Sequence, residues 1–124
     1  MATGGRKTHL QVIHEISQSL GPASPASGVL GVVPAGSVLL TGHLCVTAGF
    51  NSTTNTISLG TTPGGTDLLN AISTQAVART DTPVVIASQF RAADTPIYWT
   101  LASTGAAPTV GGVIAFVDYL PGAG

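Results

Sequence analysis

Apolar and polar positions alternate most regularly over Gly36–Phe50, "GSVLLTGHLCVTAGF". Leu40, Gly42, Leu44, Val46, Ala48 and Phe50 fall on one side of that line, and Leu39, Thr41, His43, Cys45 and Thr47 on the other. Successive side chains of a strand point to opposite faces, so this stretch predicts a long strand over 37–50 with one buried face.

The flanking elements are shorter. Alternation over Thr8–Ser17 predicts a first strand, with a helix as its rival because Ile13 and Ile16 also suit a helical stripe. Two prolines and a glycine in "QSLGPASPAS" (18–27) predict a linker. "GVLGVV" (28–33) reads as a short apolar strand, and "PAG" (34–36) as the turn into the long one. "NSTTN" (51–55) is a polar loop of hairpin length, closed by Asx-turns, and Thr56–Thr61 returns with Ile57 and Leu59 inward. This is the clearest hairpin signal in the chain. Thr66 or Asp67 is placed to cap a turn or two of helix over "DLLNAIS", with Leu68, Leu69 and Ile72 at helical spacing. Residues 74–82 are ambiguous and leave room for a short strand. Pro83–Phe90 predicts a strand with Val84, Ile86, Ser88 and Phe90 on one face. Pro96–Ser103 predicts another, with Ile97, Trp99 and Leu101 in the core and Tyr98, Thr100 and Ala102 outside. The last strand, Val110–Leu120, is apolar on both faces: Val113, Ala115, Val117 and Tyr119 on one, Ile114, Phe116 and Leu120 on the other. Such a strand is buried twice, or buried once and covered by a partner.

Seven to eight short strands separated by Gly, Pro, Asn and Asp turns predict an all-β domain, an antiparallel β-sandwich or barrel. The eight-stranded jelly roll is a standard solution at this length. No repeat of fixed period is present, which excludes solenoids and propellers. The expected organisation is a flexible N-terminal arm over 1–7, one β-sandwich over 8–120, and a frayed tail over 121–124.

Composition sharpens the picture. Only 7% of the 124 residues are charged, whereas about 25% is usual; the hydrophobic fraction is 44% and the net charge −1. Disorder pairs low hydrophobicity with high net charge, and neither holds. No basic field exists to hold a phosphate backbone, so nucleic acid is not an expected partner. A surface of Thr, Ser, Ala and Gly loses little hydration when another protein covers it, and a nearly neutral one self-associates. The expectation is an oligomer or a subunit of something larger, with an unusual monomer as the alternative. Cys45 is the only cysteine, so no intrachain disulfide forms. The N-terminus lacks a signal-type apolar run and no segment has the length of a membrane span. The chain is therefore expected to stay in the cytoplasm where it is made, unless it leaves within an assembly.

The candidate chemistry is sparse. His43 and Cys45 share a strand face, but a metal site needs three or four ligands, and His9 and His14 point to opposite faces. Cys45 as a nucleophile needs a base and a lowered pKa, and no signature surrounds it. No spacing pairs any of Glu15, Asp67, Asp81, Asp94 and Asp118. Asp67, Asp81 and Asp94 sit among Thr, Pro and Gly, where Asp caps turns. "GTTPGGTD" has no following Lys-Ser/Thr, so it is not a phosphate loop. Asn51-Ser52-Thr53 matches a glycosylation sequon but reads better as a turn. Trp99 and Tyr98 suggest a sugar platform, yet alternation sends one inward, and core packing suits Trp99 better. The reading is no catalytic residue, no metal, no cofactor and no small-molecule substrate.

The order of strands and turns resembles a known group. "PAGSVLLTGHLCVTAGFNST" leads to "TISLGTT", then Gly-Gly-Thr-Asp-Leu-Leu, then "TPIYWTLASTGAAPTVGGVIAFVDYL". Over residues 34–120 this is similar to the small jelly-roll decoration, or cement, proteins of tailed-bacteriophage heads. The resemblance implies a structural virion protein on the capsid exterior, bridging major capsid subunits, often as a homo-oligomer (dimer or trimer). It carries over no catalytic or contact residue. The partner-binding residues expected here are Arg6, Lys7, His9 and His14, because an extended arm can pair with a neighbour's sheet edge. The alternatives are a neck or tail component, separated by copy number, a carbohydrate-binding or adhesin module, which needs exposed aromatics beside a groove, and a hydrolase, which needs convergent ionisable groups in a cleft.

Overall fold

A computed structural model describes residues 13–121. Nine strands and one helical turn follow in order: β1 (His14–Leu20), β2 (Ser27–Val33), β3 (Ser37–Ala48), β4 (Thr54–Gly60), β5 (Leu69–Ser73), β6 (Ala78–Pro83), α1 (Ile86–Gln89), β7 (Phe90–Arg91), β8 (Thr95–Thr104) and β9 (Gly112–Leu120). All pairings are antiparallel. One sheet has the order β1-β9-β3-β6, with β7 also paired to β3; the other is β2-β8-β4-β5. Apart from the β4–β5 hairpin and the short β7, the chain changes sheet at each connection. This is the jelly-roll form of the β-sandwich, as expected from the strand count and turns.

The core lies between the sheets. Leu20, Leu39, Leu44, Val46, Val113, Ala115, Val117 and Tyr119 enter from the first sheet; Leu30, Val33, Ile57, Leu59, Leu69, Ile97 and Trp99 enter from the second. Ile57, Leu59 and Ile97 are fully enclosed, and Trp99 packs inward over Gly28, as the alternation of β4 and β8 predicts. The inward row of β9 is buried, and Ile114, Phe116 and Leu120 are half-buried on the other face.

The structure corrects several sequence expectations. In β3 the register shifts between Leu39 and Thr41, so the two sides exchange there. Leu39, assigned to the polar side, is fully buried, while Leu40, assigned to the apolar side, is only half-buried. One extra residue in a strand reverses the facing of everything before it. The turn after Phe50 is a crossover, not a hairpin: β3 lies in one sheet and β4 in the other, and the true hairpin is β4–β5. Asn51 makes no local Asx-turn; its side chain bonds Thr109, tying this crossover to the β8–β9 loop.

The helix expected over Asp67–Ser73 is strand β5. The Asp67 carboxylate accepts from the Thr61 backbone N–H and hydroxyl (2.9 and 2.7 Å) instead of capping a helix, and Leu69 pairs opposite Leu59. The strand expected over Pro83–Phe90 breaks up. Val84 enters the core and donates to the Leu40 carbonyl, and a helical turn, α1, follows. The edge of β3 is occupied by β6 at 41–46 and by β7 at 37–38, so the residues between have no strand to pair with. β1 extends to Leu20, into the segment read as linker, because β9 supplies partners as far as Val113.

Candidate functional site: a clamped histidine on the outer sheet face

The outward side chains of the β1-β9-β3-β6 sheet hold most of the charge in the described chain. The register sets Asp81 and Phe116 directly opposite His43, Glu15 opposite Asp118, and Arg79 opposite Cys45. Four strands therefore contribute to one cluster.

His43 is its centre, with a side chain only 10% exposed. Its Nδ1–H donates to Asp81 Oδ1 at 2.5 Å and its Nε2–H to Asp118 Oδ2 at 2.7 Å. The ring stacks on Phe116 with centroids 4.5 Å apart. Arg79 Nε donates to both oxygens of Asp81, at 2.9 and 3.0 Å. Burial opposes the positive charge on His43, but the hydrogen bonds and charges of Asp81 and Asp118 outweigh it, and its pKa lies above the usual histidine range. The His43 bond, opposed by desolvation and reinforced by Arg79, holds Asp81 below the usual carboxylate range. Glu15 is pushed up by hydrogen bonding to Asp118, helped by desolvation and by repulsion from the Asp118 charge. The Oδ1 of Asp118 is buried and accepts no hydrogen bond from the described residues.

This geometry is a clamp. A general base or metal ligand needs a free imidazole nitrogen, and both nitrogens of His43 are engaged. Among the described residues no group of three or more His, Cys, Asp and Glu side chains is disposed to hold a metal ion. Cys45 does share the outward face with His43, as alternation requires, but the ring has no nitrogen left to act on it.

The remaining candidates scatter. His14 lies exposed on β1, its ring edge-on to Tyr119 at 5.7 Å. Arg6, Lys7 and His9 lie outside the described residues. Asp67 and Asp94 hold turns, Asp94 by accepting from the Ala35 N–H at 2.9 Å. Asp81, also read as a turn cap, lies inside β6 and serves His43 instead. A cavity of about 170 Å³ opens at one end of the sandwich, lined by Gly21, Pro22, Phe50, Asn55, Leu101 and Pro108 among others, none of them ionisable. Trp99 is 5% exposed and offers no sugar platform.

Sequence reasoning missed the convergence of Glu15, Asp81 and Asp118. They lie far apart in the chain, and only the pairing of β1, β9, β3 and β6 brings them together. The available signal was parity: each sits on the polar side of its strand, at the level of His43 or next to it.

No protein-family model matches the chain, and no curated protein sequence matches it. Among solved structures, its fold is similar to that of a chain in the cyanophage Pam1 capsid asymmetric unit, at TM-score 0.65 and 19% identity, covering 90% of this chain and 86% of that one. A chain from the acid-stable capsid of the Helicobacter pylori bacteriophage KHP30 aligns at TM-score 0.62 and 14% identity, covering 88% and 87%. A chain from the capsid of Ralstonia phage GP4 aligns at 0.59 and 20%, covering 92% and 86%. At these identities the likeness is one of fold.

Proposed function

We propose that this chain is a structural protein of a tailed-phage virion that decorates the outside of the capsid and cements it by bridging major capsid subunits. The observation that carries this reading is the likeness to capsid chains along most of the molecule: three of them align over about nine-tenths of this chain and of themselves. The chemistry agrees. In the charged cluster Asp81 is bonded by His43 and Arg79 and Asp118 by His43, the histidine has no free nitrogen, and the lining of the cavity holds no acid or base. Much of the remaining surface is Thr, Ser, Ala and Gly, with several exposed Val, Ile and Phe side chains among them, and such a surface costs little to desolvate on association.

In this reading the protein acts as a dimer or trimer. The N-terminal segment, with Arg6, Lys7 and His9, and the start of β1 at His14, reach the neighbouring subunit. The expected result is binding of the purified protein to assembled shells and not to isolated capsid subunits, with hundreds of copies per particle located on the exterior by electron microscopy. A dozen copies or fewer, confined to one vertex, would instead indicate a neck or tail component; absence from purified particles would overturn both.

A further inference from the structure

One end of the same outer sheet face is apolar. Phe90 (β7) and Leu120 (β9) each pair with Val38 (β3), and all three point outward. Because His14 pairs with Tyr119, Ile13 falls beside Leu120 and shares its outward parity. Ile13 is 56% exposed and Phe90 62%; next to Phe90, Val85 and Ile86 are 61% and 87% exposed. Ile13, Leu120, Val38 and Phe90 thus form an apolar stripe across the sheet, with the exposed Val85 and Ile86 leading into β7, and an exposed apolar patch of this kind marks an interaction surface. The carboxylates of Glu15 and Asp118 lie one level further along the same face.

Residues 1–12 of this chain lie outside the structure and join it at Ile13, on the stripe itself. They carry Arg6 and Lys7 and no carboxylate. The described residues carry two cations, Arg79 and Arg91, against five carboxylates, Glu15, Asp67, Asp81, Asp94 and Asp118, a formal −3 with histidines neutral. The terminal segment and the body therefore attract. Leu10 and Val12 alternate with polar residues, as suits an apolar stripe, and "THLQVI" (8–13) contains no Gly, Pro, Asn or Asp to turn it back on its own sheet. Twelve residues reach at most about 40 Å, more than twice the width of a four-stranded sheet.

We infer that the outer face of the β1-β9-β3-β6 sheet is the seat for residues 1–12 of a second copy of this chain, with Leu10 and Val12 on the Ile13–Leu120–Val38–Phe90 stripe and Arg6 and Lys7 over the Glu15–Asp118 carboxylates. This deepens the reading of the N-terminal segment as the partner-binding element, and rests on it, but its test needs no particle.

The test uses the full chain in solution. Sedimentation velocity is expected to show a concentration-dependent oligomer that weakens with salt. Ile86→Asp and Phe90→Asp, at exposed positions, are each expected to weaken self-association at least about tenfold, a loss of about 1.4 kcal/mol, with unchanged circular dichroism. Arg6→Glu with Lys7→Glu should weaken it similarly, and adding Glu15→Lys should restore part of it. In a Cys45→Ser background, mixing a Leu10→Cys copy with an Ile86→Cys copy should give a disulfide-linked heterodimer. A wild-type monomer throughout, an oligomer untouched by both sets of variants, or a link formed only within one chain carrying both cysteines would each overturn the inference. None of these outcomes depends on whether the protein is found on a virion.

Discussion

At the scale of single residues, His43 is the most constrained side chain. Removing it takes from the Asp118 carboxylate, 20% exposed, the imidazole N–H that Oδ2 accepts from. His43→Ala is expected to cost about 1–3 kcal/mol in urea unfolding, the range for orphaning a largely buried polar group. A base whose pKa is higher in the folded than in the unfolded chain contributes stability below its unfolded value, 6.5 for His43, and loses it as pH rises through the folded value. The melting temperature should therefore fall on the alkaline side of 6.5, and His43→Ala should flatten that limb. Asp81 acts oppositely: its depressed pKa contributes above 3.8, its unfolded value, and the contribution is lost as pH falls through the folded one. Glu15, raised above 4.5, favours the folded state most when protonated. The cluster as a whole is thus strongest in mild acid. A second residue-scale constraint is Gly28, where an added Cβ would fall inside the Trp99 indole. Gly28→Ala is expected to destabilise by about 1–3 kcal/mol through overpacking, checked by the same unfolding curves.

At the scale of elements, the bulge in β3 decides which leucine holds the core. Leu39→Ala, at a fully enclosed position, is expected to cost about 2–5 kcal/mol. Leu40→Ala, at the half-buried neighbour, should cost well under half as much. Simple alternation would have predicted the reverse order, so the pair of melting temperatures tests the register shift directly. The α1–β7 excursion belongs to the same scale. Arg91 donates to the Ser88 carbonyl and the Thr95 hydroxyl (3.2 Å each), and its own carbonyl accepts from the Gly36 N–H at 2.7 Å. These bonds fix the excursion that carries Phe90 and Ile86, both of which stay largely exposed to solvent.

At the scale of the whole molecule, every strand of the clamped sheet pairs with partners remote in sequence, β1 with β9 and β9 with β3. Such a topology closes long loops before its contacts form, and refolding is expected in milliseconds to seconds, measurable by Trp99 fluorescence after stopped-flow dilution from urea. The same topology sets the charge pattern of the face. Glu15, His43, Asp81 and Asp118, from four separate segments, meet midway along one sheet, and the uncharged stripe lies at its end. Polar centre and apolar margin together make a face suited to association with another chain, and the capsid chains of similar fold are themselves parts of an assembly.

What the residues determined by themselves was local. Alternation in Ile57–Leu59, Ile97–Leu101 and Val113–Tyr119 marked inward rows, because a strand's facing depends only on its own pleat. The sparse charge, the single cysteine and the lack of a ligand cluster in sequence are likewise properties of the linear chain. What only the tertiary structure decided was adjacency: that the turn after Phe50 changes sheets, that Leu68–Ile72 pairs with β4 instead of coiling, and that three scattered carboxylates gather around one histidine. Each depends on which distant strand supplies the hydrogen-bond partners, and the period of a segment carries no information about its neighbour.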